Sequence, residues 1–338
     1  MYAVPQWRPV NVVRRYLPGL LPPLLIGAVA YGLGRVAPVL GGPVVAILLG
    51  LLVGQVFGQR ESWRPGATFA SRTVLQASIV LLGATMSLGQ VAATGGRTLP
   101  VLVGTLLVAL IGGRLLARLL KVDGITGLLV TYGTGICGAS AIATMSAGLG
   151  APATSVALAV TVIVVYNVLG AVFFPLLGHA MHLSQESFGL WAGTAVNDTS
   201  SVVAAATTYG VTAVSVAVVV KLTRTLAIIP LALYESWRSH RGSVSRRRPV
   251  WWKLVPTFLV LFLVAAAARS VGVVPASWGP AVKELAYIGT TVAMAAVGMG
   301  SSLRHVRKAG WRPVALGGLL WVLVAGSSLL LQKLTGTL

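Results

Sequence analysis

SVAVVVKLTRTLAIIPLAL, residues 215–233, has the hydropathy of a membrane crossing, yet it carries Lys221 and Arg224 with apolar residues on both sides. An intramembrane charge costs on the order of 3 kcal/mol even on lenient insertion scales. Two cations three residues apart share one helical face, so this stretch must face a protein interior or an aqueous cavity. Whatever offsets the cost has to come from elsewhere in the chain.

The surrounding composition supports a membrane reading. Of 338 residues, 56% are hydrophobic and 9% charged, with a mean hydropathy of +0.87, outside the range of soluble globular domains. The net charge of +20 could suit nucleic acid, but no basic patch with interleaved aromatics occurs; the cations sit between apolar runs, as topology signals do. A single cysteine, Cys137, excludes an intramolecular disulfide and a cysteine-pair metal site. His179 and His182 are spaced i, i+3 without a carboxylate at ligand spacing, which reads as interfacial rather than metal-binding. No metal or cofactor is expected. Arg14 and Arg15 precede an apolar stretch from Leu17 to Ala37, too long for a signal-peptide core and without an A-x-A site, so it reads as a retained first span.

Eleven stretches are long enough to cross about 30 Å of hydrocarbon: 17–37, 43–58, 72–93, 98–119, 124–147, 153–178, 187–208, 211–235, 252–271, 281–301 and 313–333. With a cytoplasmic amino terminus, alternation places nineteen lysines and arginines on the cytoplasmic side and five opposite, leaving Lys221 and Arg224 inside. That bias predicts amino terminus in and carboxyl terminus out. The expected architecture is an all-α polytopic protein, one integral membrane domain over 1–338. Residues 1–16 form a cytoplasmic segment and 236–251 a basic cytoplasmic loop, with SRRRPVWW anchoring its end at the interface.

Two internal matches stand out. GATMSLGQVAATGGR (83–97) resembles GMGSSLRHVRKAGWR (298–312), and the two copies are opposed in the membrane, as in the inverted repeats of secondary transporters. GTGICGASAIAT (133–144) matches GTAVNDTSSVVA (193–204), both in the middle of apolar spans. Their glycines and hydroxyl residues permit close packing or local unwinding, and an unwound segment frees backbone groups for a ligand. Under this topology, however, the second pair runs in the same direction. Either it reflects convergent small-residue composition, or one segment is re-entrant.

Lys221 lies about 15 Å from the outer end of its span at 1.5 Å per residue, and Asp198 is at nearly the same depth in the preceding antiparallel span. Glu61, Asp123, Glu186, Glu235 and Glu284 all read as near ends or loops, so even if Asp198 pairs with one cation, the other stays unpaired. Two cations, one carboxylate and nearby hydroxyls suit a small oxyanion, with Arg224 as a planar fork and Lys221 as a point charge. The candidate binding residues are Lys221, Arg224, Asp198, Asn197, Thr199, Ser200, Thr134, Gly135, Gly138 and Ser140. A second reading centres on Asp198, as in a cation/proton antiporter or a sodium-coupled organic anion symporter. A membrane enzyme would need a nucleophile with a base, or a metal cluster, and the sequence offers neither. Exposed glycine faces would allow a homodimer.

GTGICGASAIAT (133–144), GTAVNDTSSVVAAATTYG (193–210), VVVKLTRTLAIIPL (218–231) and AVGMGSSLRHVRKAGWRPV (296–314) resemble the characteristic stretches of the YeiH-type sulfate exporter family, over most of the chain from residue 40 onward. The resemblance implies a bacterial inner-membrane transporter related to the bile acid and sodium/proton transporters, with panel and core domains built of inverted repeats and broken or crossing central helices. It also implies export of sulfate or small organosulfonates; a coupling proton or sodium is the further role that the residues offer for Asp198. The family commonly has histidine where this chain has Asn197, which bears on proton coupling.

Overall fold

The computed structural model describes residues 9–36, 41–58, 60–240, 256–301 and 310–338. Among them there are helices and connecting turns but no strands. In chain order the helices are α1 (Pro9–Val36), α2 (Gly41–Phe57), α3 (Arg64–Phe69) running through a π-helical turn into α4 (Leu75–Gly83), α5 (Leu88–Leu119), α6 (Gly124–Gly135), α7 (Ala139–Leu149), α8 (Ala153–Ala180), α9 (Gln185–Ala195), α10 (Thr199–Tyr209), α11 (Val211–Leu226), α12 (Ile228–His240), α13 (Thr257–Ser270), α14 (Gly279–Gly300) and α15 (Trp311–Thr335). Among the described residues, five rods are long and apolar enough to cross a membrane: Tyr16–Val36, Leu88–Leu119, Ala153–Ala180, Val211–Glu235 and Trp311–Thr335. Their outer faces carry large apolar side chains such as Leu25, Ile111, Leu119 and Val322, each more than 60% exposed, a surface suited to lipid rather than water.

The helices form two layers. α1, α2, the α3–α4 rod, α13 and α14 pack together, and α5 to α12 pack with α15. Small residues set the spacing in the first layer: Gly50 faces the Ala295 carbonyl so closely that a Cβ would collide with backbone. The layers touch chiefly where α10 lies on α2 and α14.

The segments expected to be the fifth and seventh spans are not through-running rods. Each is a hairpin of two half-helices. In the α9–α10 pair, Tyr209 at the end of α10 stacks on Phe188 in the first turn of α9, ring centroids 3.7 Å apart, and donates to the Leu183 carbonyl at 2.6 Å. A continuous helix would hold residues 188 and 209 about 30 Å apart. In the α6–α7 pair, a Cβ on Gly133 would lie 3.0 Å from Ile142 Cδ1, positions that a continuous helix would separate by about 13 Å.

The two hairpins insert from opposite ends. α6 runs antiparallel to α5, with Gly127 facing Ala117, Gly113 facing Thr131 and Gly135 facing Ala109. α5 is antiparallel to α15 (Gly104 on Leu331, Gly112 on Leu323), whereas α8 runs parallel to α15 (Val162 and Tyr166 on Gly317, Phe174 on Trp321). α9 folds back on α8, with Phe188 on Gly178 and Val196 on Gly170. α6 and α9 therefore point toward each other, and their tips, 136–138 and 196–198, meet. A Cβ on Gly138 would sit 3.1 Å from that of Asp198. Gly138 has φ +72°, a region that costs an L-residue of any size and suits glycine.

The sequence matches also shift in detail. The first rod of the 83–97 match ends at Gly83 and the turn falls at 84–87, not 94–97, because Ser87 opens α5 with a capping box: Ser87 Oγ accepts from Gln90 N at 3.2 Å and Gln90 Oε1 from Ser87 N at 2.9 Å. Such a box satisfies two otherwise unpaired donors and fixes where a helix starts. Much of the partner segment 298–312, most of the basic loop and its SRRRPVWW stretch, and the first residues of the 1–16 segment lie outside the described residues.

Candidate functional site

α11 lies along α9 and α10, and its continuation α12 lies along α7. α11 runs parallel to α9, with Gly189 against Ala213 and Val216 and Gly193 against Ala217 and Val220. That register carries Lys221 to the tip of the α9–α10 hairpin and, one turn on, Arg224 to the tip of the α6–α7 hairpin. Both side chains are 0% exposed. Lys221 Nζ donates to the Val196 carbonyl at 2.8 Å, and Arg224 Nε to the Gly135 carbonyl at 2.5 Å.

These carbonyls have a particular origin. Gly135 ends α6, and Val196 caps the end of α9. The last carbonyls of a helix lack intrahelical partners and carry about half a negative charge between them. A half-helix that stops inside the molecule would leave this charge stranded, and each cation covers one such end. The contact is worth up to about 2 kcal/mol in a partly buried geometry, less than the cost of burying a full charge. The carbonyls hold the cations in place without neutralising them.

Asp198 does not form an ion pair with either cation; the one ion pair among the described residues joins Arg114 to Glu235. Asp198 instead caps α10: its carboxylate accepts from Ser200 N at 3.3 Å and from the Ser200 hydroxyl, while its own N–H donates to Asn167 Oδ1 at 2.9 Å. The pairing of Asp198 with one cation, weighed from the sequence as an alternative, is not the geometry found. A helix amino terminus competes for the carboxylate. The N-cap of α7 is Gly138, which has no side chain to offer.

Several buried polar atoms around the tips have no hydrogen-bond partner: Arg224 Nη1 and Nη2, both side-chain amide atoms of Asn197, Thr134 Oγ1 and Ser201 Oγ. Most buried side-chain polar atoms are paired, so such a concentration marks a place built to receive a polar guest or water. Of the ten residues singled out from the sequence, Lys221, Arg224, Asp198, Asn197, Ser200, Thr134, Gly135 and Gly138 come together at the tips. Thr199 and Ser140, in the first turns of α10 and α7, are half-buried and exposed respectively, and flank the cluster.

Three groups escape the sequence reading. Asn167 on α8 has no sequence signal, because its role depends on α8 folding against α9. Ser201 could have been included as the third hydroxyl of the TSS run. Glu235, placed near a span end by the sequence, is 2% exposed. It accepts from the Tyr132 hydroxyl, and Arg114 Nη2 lies 3.4 Å from it, so α12 is tied to α5 and α6 inside the core.

The family model described as Conserved hypothetical protein 698 matches residues 18–317. The chain is 39% identical over 333 residues to a UPF0324 membrane protein of Streptococcus pyogenes serotype M18, covering 95% of this chain and 98% of that one. It is 38% identical over 326 residues to a UPF0324 membrane protein of Streptococcus pneumoniae serotype 4, covering 94% and 97%. A UPF0324 membrane protein of Streptococcus agalactiae serotype V is 35% identical over 329 residues, covering 95% and 98%.

Proposed function

The chain belongs to the UPF0324 family of membrane proteins, Conserved hypothetical protein 698, and we propose that within the bilayer it is a secondary transporter that moves a small oxyanion by alternating access. The observation that carries this reading is the state of the two cations. Each is fully buried, held by a backbone carbonyl and not by a carboxylate, and the outer edge of the Arg224 guanidinium has no partner. An anion arriving there satisfies the guanidinium N–H groups bidentately and balances the positive charge that the two buried cations leave open. Sulfate and organosulfonates are the cargo that the sequence resemblance implies.

The membrane arrangement follows from the hairpins. We infer nine crossings and two re-entrant hairpins rather than eleven crossings. The α6–α7 hairpin enters from the cytoplasmic face and α9–α10 from the outer face of a bacterial inner membrane. Nine crossings keep the amino terminus in and the carboxyl terminus out. Opposed hairpins also supply the inversion missing from the 133–144 and 193–204 match. Half-helices whose ends meet near the midplane are a recurrent way for secondary transporters to hold ions, because irregular backbone is tolerated at that depth only where it is buried in protein or lines a cavity.

The test is flux in proteoliposomes loaded with sulfate or methanesulfonate. Arg224→Ala should reduce anion flux by about a hundredfold, within the range for losing a buried charged partner. Arg224→Lys keeps the charge but loses the fork, and should fold while recovering little flux. Wild-type flux in a folded Arg224→Ala protein would overturn the reading.

A further inference from the structure

Resting on the anion-transport reading, we propose that the site accepts a singly charged oxyanion, such as a sulfonate, and that Asp198 sets this limit by holding the local charge at one net positive. The argument is a count of charges at the hairpin tips. Lys221 and Arg224 contribute two formal positive charges on fully buried side chains. Asp198 contributes one negative charge, and it is fixed in place: its carboxylate caps α10, its N–H is tied to Asn167, and its side chain lies against Gly138 of the opposing tip. Two helix carboxyl ends, α6 and α9, and two amino ends, α7 and α10, meet at the same place, and their partial charges of about one half cancel in pairs. One positive charge remains.

A single negative charge balances that remainder. A dianion would overshoot it, leaving a net negative charge against Asp198 in a setting where solvent screens poorly. The uncapped α7 amino terminus supports the same conclusion. Its N-cap, Gly138, offers no side-chain acceptor, and the fully buried Arg224 guanidinium, both of its terminal nitrogens unpartnered, is held at the adjoining Gly135 carbonyl. One compact anion can therefore reach free donors of the α6–α7 tip and of Arg224 on α11 together.

Sulfate and methanesulfonate share tetrahedral sulfur and differ by one charge, so they isolate the proposal. Purified wild-type protein should be thermally stabilised by methanesulfonate more than by sulfate at equal ionic strength, and should carry methanesulfonate at least about tenfold faster in proteoliposomes, the size of effect expected from one misplaced like charge. Asp198→Asn keeps a competent N-cap while removing the charge, so the ratio of sulfate to methanesulfonate flux should rise at least about tenfold. Equal stabilisation and equal flux of both anions by wild type, or an unchanged ratio in a folded Asp198→Asn protein, would overturn the inference and leave the anion reading standing. Should wild type neither bind nor carry either anion, both fall together. The wild-type arm needs no variant to fold.

Discussion

Arg224 commits only its Nε–H to protein, leaving both terminal nitrogens buried and unpartnered, whereas Lys221 is anchored through its single ammonium. The two cations are therefore unequal: Lys221 chiefly stabilises the end of α9, and Arg224 keeps the donors that can meet a guest. The contrast with Glu235 is instructive. That carboxylate has an Arg and a Tyr partner, so its charge is answered within the fold. Removing one partner of a buried pair costs about 3 kcal/mol or more, but Arg114 is one-third exposed and can turn to water. We expect Glu235→Ala to cost about 2 kcal/mol after that discount, lowering the melting temperature of purified protein by several degrees, with Glu235→Gln intermediate because an amide oxygen still accepts from Tyr132. A melting temperature unchanged by Glu235→Ala would show that the buried triad does not hold α12 in place.

The elements divide cleanly into those the sequence reveals and those it conceals. α2, α8, α14 and α15 fall within a few residues of their hydropathy limits, because a continuous apolar run of the right length has one good solution in lipid. The hairpins were concealed from hydropathy by their own dimensions, and only the same-direction match of 133–144 with 193–204 raised the re-entrance of one segment. Two half-helices of eleven or twelve residues joined by a short polar break have the length and hydropathy of a single crossing. The charge count could not reveal the difference either. Replacing two crossings with two hairpins changes sides only for 148–152 and 179–186, which contain no lysine or arginine, so the positive-inside bias is identical in both topologies. The SLGQ capping box at 87–90 is a local signal for the start of α5 that the reading of 72–93 as one span passed over. At this scale Gly138 is the decisive position. Gly138→Ala meets both a positive φ, costing about 1–2 kcal/mol, and the Asp198 side chain at 3.1 Å. The tips should be forced apart, with at least about tenfold loss of anion flux and only a modest drop in melting temperature. Wild-type flux in Gly138→Ala would mean that the tips need not touch.

Across the whole molecule the hairpins are related by an offset of sixty residues, under which α6 ends at 135 and α9 at 195, while α7 spans 139–149 and α10 spans 199–209. Equivalent positions nevertheless differ in environment. Ser140 and Ala143 on α7 are exposed, while their counterparts Ser200 and Val203 on α10, the helix that contacts α2 and α14, are buried, Val203 fully. One sequence pattern thus occupies two packing states in one structure. On the transporter reading the alternate state exchanges them, with α10 leaving the first layer as α7 docks on it. The tips and their cations stay nearly fixed while the side open to water changes, and access alternates without the two charges ever crossing the hydrocarbon. This can be measured with single cysteines at Ala143 and Val203, in a protein whose native Cys137 is 2% exposed and so slow to label. A membrane-impermeant thiol reagent should react with Ala143→Cys from the cytoplasmic face and leave Val203→Cys protected. Adding transported anion on both sides should slow the first reaction and speed the second from the outer face, by comparable factors, because one exchange drives both. If the rates change in the same direction, or only one responds, the hairpins move independently and the exchange is refuted.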